Sequence, residues 1–220
     1  MRITIDRSIT DLIPDFTVVA MTMDISIEPS LKIKDLILQY EKQIREEYSL
    51  SDILNIPLIK EARDGYKMLG KDPSRYRLAC ESLLRRLVKG RGLFLINNVV
   101  DAGNILSIET KRSVAVLDLD KIAGDFTIRK GNAEDAFIGI GRGELNVSNI
   151  PVYVDKLGVF GSPTSDAYRS AITEYTKRIV LQIVCFSNQE ITRHQEFAIS
   201  LFEKYCNAQN IRNIEVIKNN

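Results

Sequence analysis

The chain has 220 residues, with 30 Lys and Arg against 29 Asp and Glu, a formal charge of +1 and 45% hydrophobic residues. That balance excludes a disordered or low-complexity chain, because enough apolar surface is present to offset chain entropy. Net charge alone points to no strongly charged partner. The start, MRITIDRSITDLIPDF, lacks the apolar core and small-residue cleavage site of a secretory signal. The longest apolar runs, such as IVLQIVCF, fall well short of the roughly 20 residues needed to span a bilayer, so no membrane partner is expected. Cys80, Cys185 and Cys206 are widely spaced and form no CxxC pair. They read as small buried apolar residues, and a reducing cytoplasm fits them best.

In chain order, DFTVVAMTMDISI (15–27) reads as a strand. Leu31, Ile33, Leu36, Ile37, Tyr40 and Ile44 recur at helical spacing. Pro57 is placed to open a helix that ends near Leu69, with Gly70 as its stop. Asp72 and Pro73 form a cap-and-first-turn signal for the next helix. Its apolar stripe is Tyr76, Cys80, Leu83, Leu84, Leu87 and Val88, and Gly90 and Gly92 close it. NNVVDAGNILSI (97–108) reads as a buried helix capped by Asn97 or Asn98. Short β-branched runs broken by Gly, Asn and Asp follow: VAVLDLD, DFTIRKGN, DAFIGIG, IPVYVDKLGVF and TKRIVLQIVCF. Ser187 and Glu190 fit a capping box for a last helix reaching about Asn207. EVIK (215–218) reads as one more strand. The interleaving predicts a single α+β domain over residues 1–220.

Charge is uneven along this order. Residues 60–91 hold ten basic and four acidic side chains, whereas residues 1–59 hold six basic and ten acidic. A local basic block of this kind can meet phosphates. It is equally readable as a solvated helical face balanced by acidic neighbours in space.

GIGRGE (139–144) superficially matches a phosphate loop, but no helical pattern follows it, so it reads as a turn between strands. His194 is the single histidine, and no GxSxG or similar nucleophile motif accompanies it. With one histidine and no cysteine cluster, neither a metal nor another cofactor is expected. Three polar groups remain. Arg77, Glu81, Arg85 and Arg86 form either a helix-surface ladder or an oriented arginine site for phosphate or carboxylate. Asp101, Asn104 and Ser107 step through an apolar helix as core network members or pocket lining. The stretch GSPTSDAYRSAITEYTK (161–177), with Thr164, Ser165, Asp166 and Arg169, suits either hydrogen bonding to a polar ligand or a helix start capped by Ser165 or Asp166.

The blocks DPSRYRLACESLLRRLVKG, VVDAGNILSIETKRSVAVLDLDKIAGDFTIRKGNAEDAF and VYVDKLGVFGSPTSDAYRSAITEYTK, taken together, resemble the tRNA-binding and editing (B-three/B-four) domain of the phenylalanyl-tRNA synthetase beta subunit. Its free-standing relatives are more similar still. The resemblance covers about residues 60–187, leaving 1–59 as an N-terminal strand and helix extension and 188–220 as a C-terminal helix and strand. It implies an α+β fold, an irregular β sandwich flanked by helices. It also implies a tRNA partner carrying an amino acid, and hydrolysis of the ester of mischarged aminoacyl-tRNA. A water and an oxyanion held in place can suffice for that reaction without a protein nucleophile. By the resemblance, Arg77, Arg85 and Arg86 orient phosphate or the acceptor end. Glu81, Asp101 and Asn104 form a polar wall, and Thr164, Ser165, Asp166 and Arg169 line the pocket mouth. A non-catalytic RNA-binding module and a binder of free amino acids on the same pocket are the alternatives.

Overall fold

The computed structural model describes residues 1–219. Its strands and helices run β1 (Arg2–Ile5), α1 (Arg7–Thr10), β2 (Thr17–Asp24), α2 (Lys34–Glu47), α3 (Pro57–Leu69), α4 (Ala79–Val88), α5 (Asn98–Thr110), β3 (Val114–Asp118) and β4 (Phe126–Lys130). They continue with β5 (Ile138–Gly139), β6 (Gly143–Glu144), β7 (Pro151–Asp155), β8 (Gly158–Gly161), β9 (Arg178–Cys185), α6 (Ile191–Cys206), β10 (Gln209–Asn213) and β11 (Glu215–Lys218).

One sheet has the order β11-β1-β4-β7-β8 and a second β10-β2-β9-β3, with β5 and β6 forming a separate two-stranded ribbon. The second sheet is apolar on both faces, and the two-residue period of its strands sorts the side chains. Val180 and Val184 of β9, with Val18 and Ala20 of β2, join Ile3, Ile5, Ile128 and Val152 of the first sheet in an inner core. Ile179, Leu181, Ile183 and Cys185 point the other way, into an outer core with Val99, Ile105 and Leu106 of α5 and Ala198, Leu201 and Phe202 of α6. Helices α3 and α4 close the inner core with Ile59, Tyr66, Leu84 and Leu87. The result is an α+β sandwich flanked by helices.

Local signals set several elements. Pro57 stands at the start of α3, and Gly70, at φ 92°, terminates it in the left-handed region that glycine tolerates. Asn97 caps α5, accepting from Val99 N at 3.1 Å and Val100 N at 2.9 Å. Helix α5 is buried on nearly every side. At Gly103 a Cβ would come within 2.5 Å of Val116 Cγ2, so the missing side chain lets α5 lie close against β3. GIGRGE forms the β5–β6 turn, with Gly141 and Gly143 at positive φ.

Three boundaries differ from the sequence expectation. Helix α4 begins at Ala79 rather than Pro73. Asp72 instead caps a single turn through Ser74 N at 2.8 Å, and Leu78 turns extended to enter the core. The first amide of α4, Ala79 N, donates to Pro163 O at 2.9 Å, so the distant hairpin loop fixes where the helix starts. The capping box before α6 does not form. Glu190 sits at φ 55° with no side-chain cap bond, and the approach is held by Arg112, whose Nη2 donates to Ser187 O and Gln189 O. Ser165 and Asp166 cap no α-helix, since only a 3-10 turn, Tyr168–Ser170, follows them.

Candidate functional site

Glu81 lies in the first turn of α4 and is wholly buried, at 0% exposure. A carboxylate there requires charged partners. Arg63 of α3 donates to Oε2 at 2.8 Å and Arg85, one turn along α4, to Oε1 at 2.8 Å, while Arg77 Nε stands 4.0 Å away. Glu81 is therefore a hub that draws three guanidinium groups together, more than the surface ladder its spacing allowed. Arg63 also donates to Pro73 O, tying α3 to the turn before α4.

The outer side of α4 carries a hollow of about 170 Å³ lined by Arg77, Ser82, Arg85, Arg86, Lys89 and Arg91. Its lining holds five cations and no carboxylate. The other basic side chains of residues 60–91 are mostly engaged elsewhere. Arg63 is held by Glu81, Lys67 pairs with Asp64 and Arg75 with Asp72. Lys71 is buried, with its Nζ 3.6 Å from the Tyr76 ring centre and donating to Ser148 O at 2.8 Å. Burial lowers its pKa. The basic block thus holds side chains engaged away from the hollow and five that line it. Of these five, Arg77 and Arg85 are also drawn toward Glu81, whereas Arg86, Lys89 and Arg91 are not.

The hydroxyl-rich loop follows the β7–β8 hairpin and abuts the start of α4 through the Ala79–Pro163 hydrogen bond. Thr164 Oγ1 and the Tyr66 hydroxyl lie 2.8 Å apart, anchoring the loop to α3. Ser162 Oγ donates to Ser165 O and accepts from Ser165 N, closing a tight turn. Asp166 follows, bridged to Gly161 across the hairpin. Its carboxyl is pushed up to about 8 by burial. Arg169 points away from this group. It holds the buried carboxylate of Asp155 through Nη2 at 2.6 Å and Nη1 at 3.2 Å. Burial opposes ionisation of Asp155, but Arg169 and the amides of Ala123 and Leu157 outweigh it and lower its pKa. Arg169 also borders a separate cleft of about 460 Å³ with Glu134, Ile138, Leu157 and Tyr168.

Asp101 sits in the first turn of α5, where the helix dipole favours negative charge. It accepts from the Ser30 hydroxyl and from Ile96 N, and burial raises its pKa. Asn104, one turn on, is half-buried. Ser107 Oγ donates to Arg112 O, just beyond the C-terminal end of the same helix. The structure therefore joins Arg77, Glu81, Arg85 and Arg86 in one constellation and brings the Thr164–Asp166 loop to its end. Asp101 holds the segment before α5, and Arg169 faces the far side of the hairpin.

Arg63, Lys89 and Arg91 belong with the arginine constellation. The sequence marked them as part of the basic block but gave no spacing signal linking α3 to Glu81. Gln182 is a further residue whose setting the sequence does not single out. It is wholly buried in β9, opposite Ala20 on one side and Ala115 on the other, and the strand's alternation points it into the inner core. Both its amide atoms, like the Tyr153 hydroxyl, are buried without a hydrogen-bond partner among the described residues. One glutamine in RIVLQIVCF was the visible sign. An unpaired buried amide costs stability, so Gln182→Met is expected to raise the unfolding free energy by about 1–2 kcal/mol. Urea unfolding measures this.

Cys80 is buried and its thiol is pushed up to about 12 by burial, which leaves it inert as a nucleophile at neutral pH. His194 accepts from Arg112 Nε at 3.3 Å, and burial, with Arg112 beside it, pushes it down to about 4. Among the described residues no cluster of three or more His, Cys, Asp or Glu is arranged to hold a metal. None of their helices is long and apolar enough to cross a membrane.

The domain is an α+β sandwich with a basic hollow on one helix and a carboxyl-bearing loop at that helix's start. Residues 61–213 match the family model of the B3/4 domain, and the chain belongs to that family. It is 30% identical over 117 residues to the phenylalanine--tRNA ligase beta subunit of Fusobacterium nucleatum subsp. nucleatum, a match covering 50% of this chain and 14% of that protein. The fold is similar to the crystal structure of an N-terminal fragment of the phenylalanyl-tRNA synthetase beta subunit from Pyrococcus horikoshii. There the TM-score is 0.53 at 12% identity, over 99% of this chain and 52% of the fragment. The chain is thus related to a domain of the synthetase beta subunit and spans a minor part of the curated relative.

Proposed function

We propose that the protein is a tRNA-interacting editing deacylase that hydrolyses the ester of mischarged aminoacyl-tRNA in the cytoplasm. The observation that carries this reading is the Ala79–Pro163 hydrogen bond. It sets the Thr164, Ser165 and Asp166 loop at the start of the helix whose flank forms the five-cation hollow. Family membership supports a synthetase-related substrate. Ten residues of α4 span about 15 Å, enough to lead a short stretch of phosphates toward the loop.

In this reading Arg77, Arg85 and Arg86 hold phosphates of the acceptor end, and Glu81 orients two of them. The Ser165 hydroxyl meets a polar group of the aminoacyl ester, on a loop that Thr164 anchors to α3. Asp166 takes a proton from the attacking water as its oxygen bonds to the ester carbonyl carbon. It returns that proton to the ribose oxygen as the ester bond breaks, releasing the amino acid and uncharged tRNA. A carboxyl whose pKa lies near 8 is a stronger base, once ionised, than an ordinary one. Activity is accordingly expected to rise with pH through about 8.

The test is a panel of mischarged tRNAs incubated with the pure protein beside an active editing synthetase. Release of amino acid from at least one of them, with that pH profile, supports the reading. No release from any removes it. Salt-sensitive RNA binding with the esters intact identifies a binding module instead. Thermal stabilisation by free amino acids without RNA binding identifies an amino-acid binder.

A further inference from the structure

The segment after α4 carries three consecutive exposed apolar side chains, Phe94, Leu95 and Ile96, at 67%, 48% and 60% exposure. It is nevertheless pinned in place. Gly92 O accepts from Arg86 Nε, Leu93 N donates to Glu41 Oε1 at 2.6 Å, and Ile96 N donates to Asp101 Oδ1 at 3.2 Å. The Arg86 guanidinium lies 3.9 Å from the centre of the Phe94 ring. The same arginine lines the basic hollow, beside Lys89 and Arg91. A fixed, outward-facing aromatic ring backed by a cation and bordering a carboxylate-free hollow unites the two features that bind single strands: a π face for a base and cations for the backbone.

We infer that Phe94 and Arg86 form a stacking shelf for an unpaired nucleobase of a single-stranded RNA segment, whose adjoining phosphates enter the hollow at Lys89 and Arg91. This deepens the tRNA reading and rests on it for the choice of RNA. The paired bases of a duplex hide their faces, so the shelf selects single-stranded over double-stranded segments. Leu95 and Ile96 extend the apolar edge against which a second base or the ribose packs.

The experiment measures fluorescence anisotropy of a labelled single-stranded 12-mer RNA and of the same sequence as a duplex, at several salt concentrations. Wild type is expected to favour the single strand. Phe94→Ala is expected to weaken single-strand binding roughly 5- to 100-fold with little change in salt slope, and Phe94→Trp to retain it. The double variant Lys89→Ala/Arg91→Ala is expected to lower the salt slope by about 1 to 1.5. Equal binding by wild type, Phe94→Ala and Phe94→Trp overturns the shelf, as does a preference for duplex. A change confined to self-association in Phe94→Ala, seen by sedimentation, also overturns it and identifies a protein-facing patch. RNA binding with these signatures but no ester hydrolysis refutes the deacylase and leaves the shelf standing. Hydrolysis with an unchanged KM in Phe94→Ala refutes the shelf alone.

Discussion

Asp166→Asn is expected to slow amino-acid release from a mischarged tRNA about 100- to 10,000-fold, while making the protein harder to unfold at alkaline pH. Both effects come from one cause. The unfolded carboxyl ionises near pH 4, as an exposed aspartate does, whereas the folded one ionises at about 8 because burial opposes its charge. Between those values the folded state keeps a proton that the unfolded state releases, so stability is full below about pH 4 and falls as pH rises toward 8. The neutral amide removes that loss. Asp166→Asn is expected to gain roughly 2–4 kcal/mol at pH 8 and almost nothing at pH 4, which urea unfolding at the two pH values reads. A variant that gains stability but hydrolyses at the wild-type rate would leave Asp166 as a buried acid with no part in the chemistry.

Glu81→Ala is expected to cost roughly 3–5 kcal/mol of folding stability. The substitution removes a fully buried carboxylate that Arg63 and Arg85 each reach at 2.8 Å. The two guanidinium groups then repel each other at the α3–α4 junction. Glu81→Gln keeps the volume and part of the hydrogen bonding and is expected to fall between wild type and alanine. The measurement is the urea midpoint with the slope unchanged, so that stability rather than compactness is read. A loss under about 1 kcal/mol would mean that the three arginines behave as an exposed surface ladder. In Glu81→Gln, which retains more of the fold, a raised KM for tRNA with kcat preserved is the sign that the hub orients arginines for substrate.

Much of the fold was legible because its signals are local. Pro57 and Gly70 bracket α3, Asn97 caps α5, and the β-branched run IVLQIVCF marks β9. The illegible parts depend on distant partners. The first residue of α4 is chosen by Pro163, and the start of α6 by Arg112, and neither leaves a trace beside the helix it governs. Strand β10, QNIRN, is polar and short, and it forms because β2 offers it an edge. The same division holds for the site. The Arg77, Glu81 and Arg85 spacing was visible along one stretch, but Arg63 joins it only when α3 packs on α4. The hydroxyl loop was visible by composition, yet Arg169 and Asp155 meet across a hairpin whose turn brings them together.

Strand β1 lies between β11 and β4 and runs parallel to both. Arg2 pairs with Glu215 in register and by an ion pair, so β1 waits for a strand 213 residues further along the chain before its ladder is complete. Contacts of such long sequence separation slow folding, because loop closure precedes their reward. On the ribosome the five-stranded sheet therefore stays open until β11 emerges.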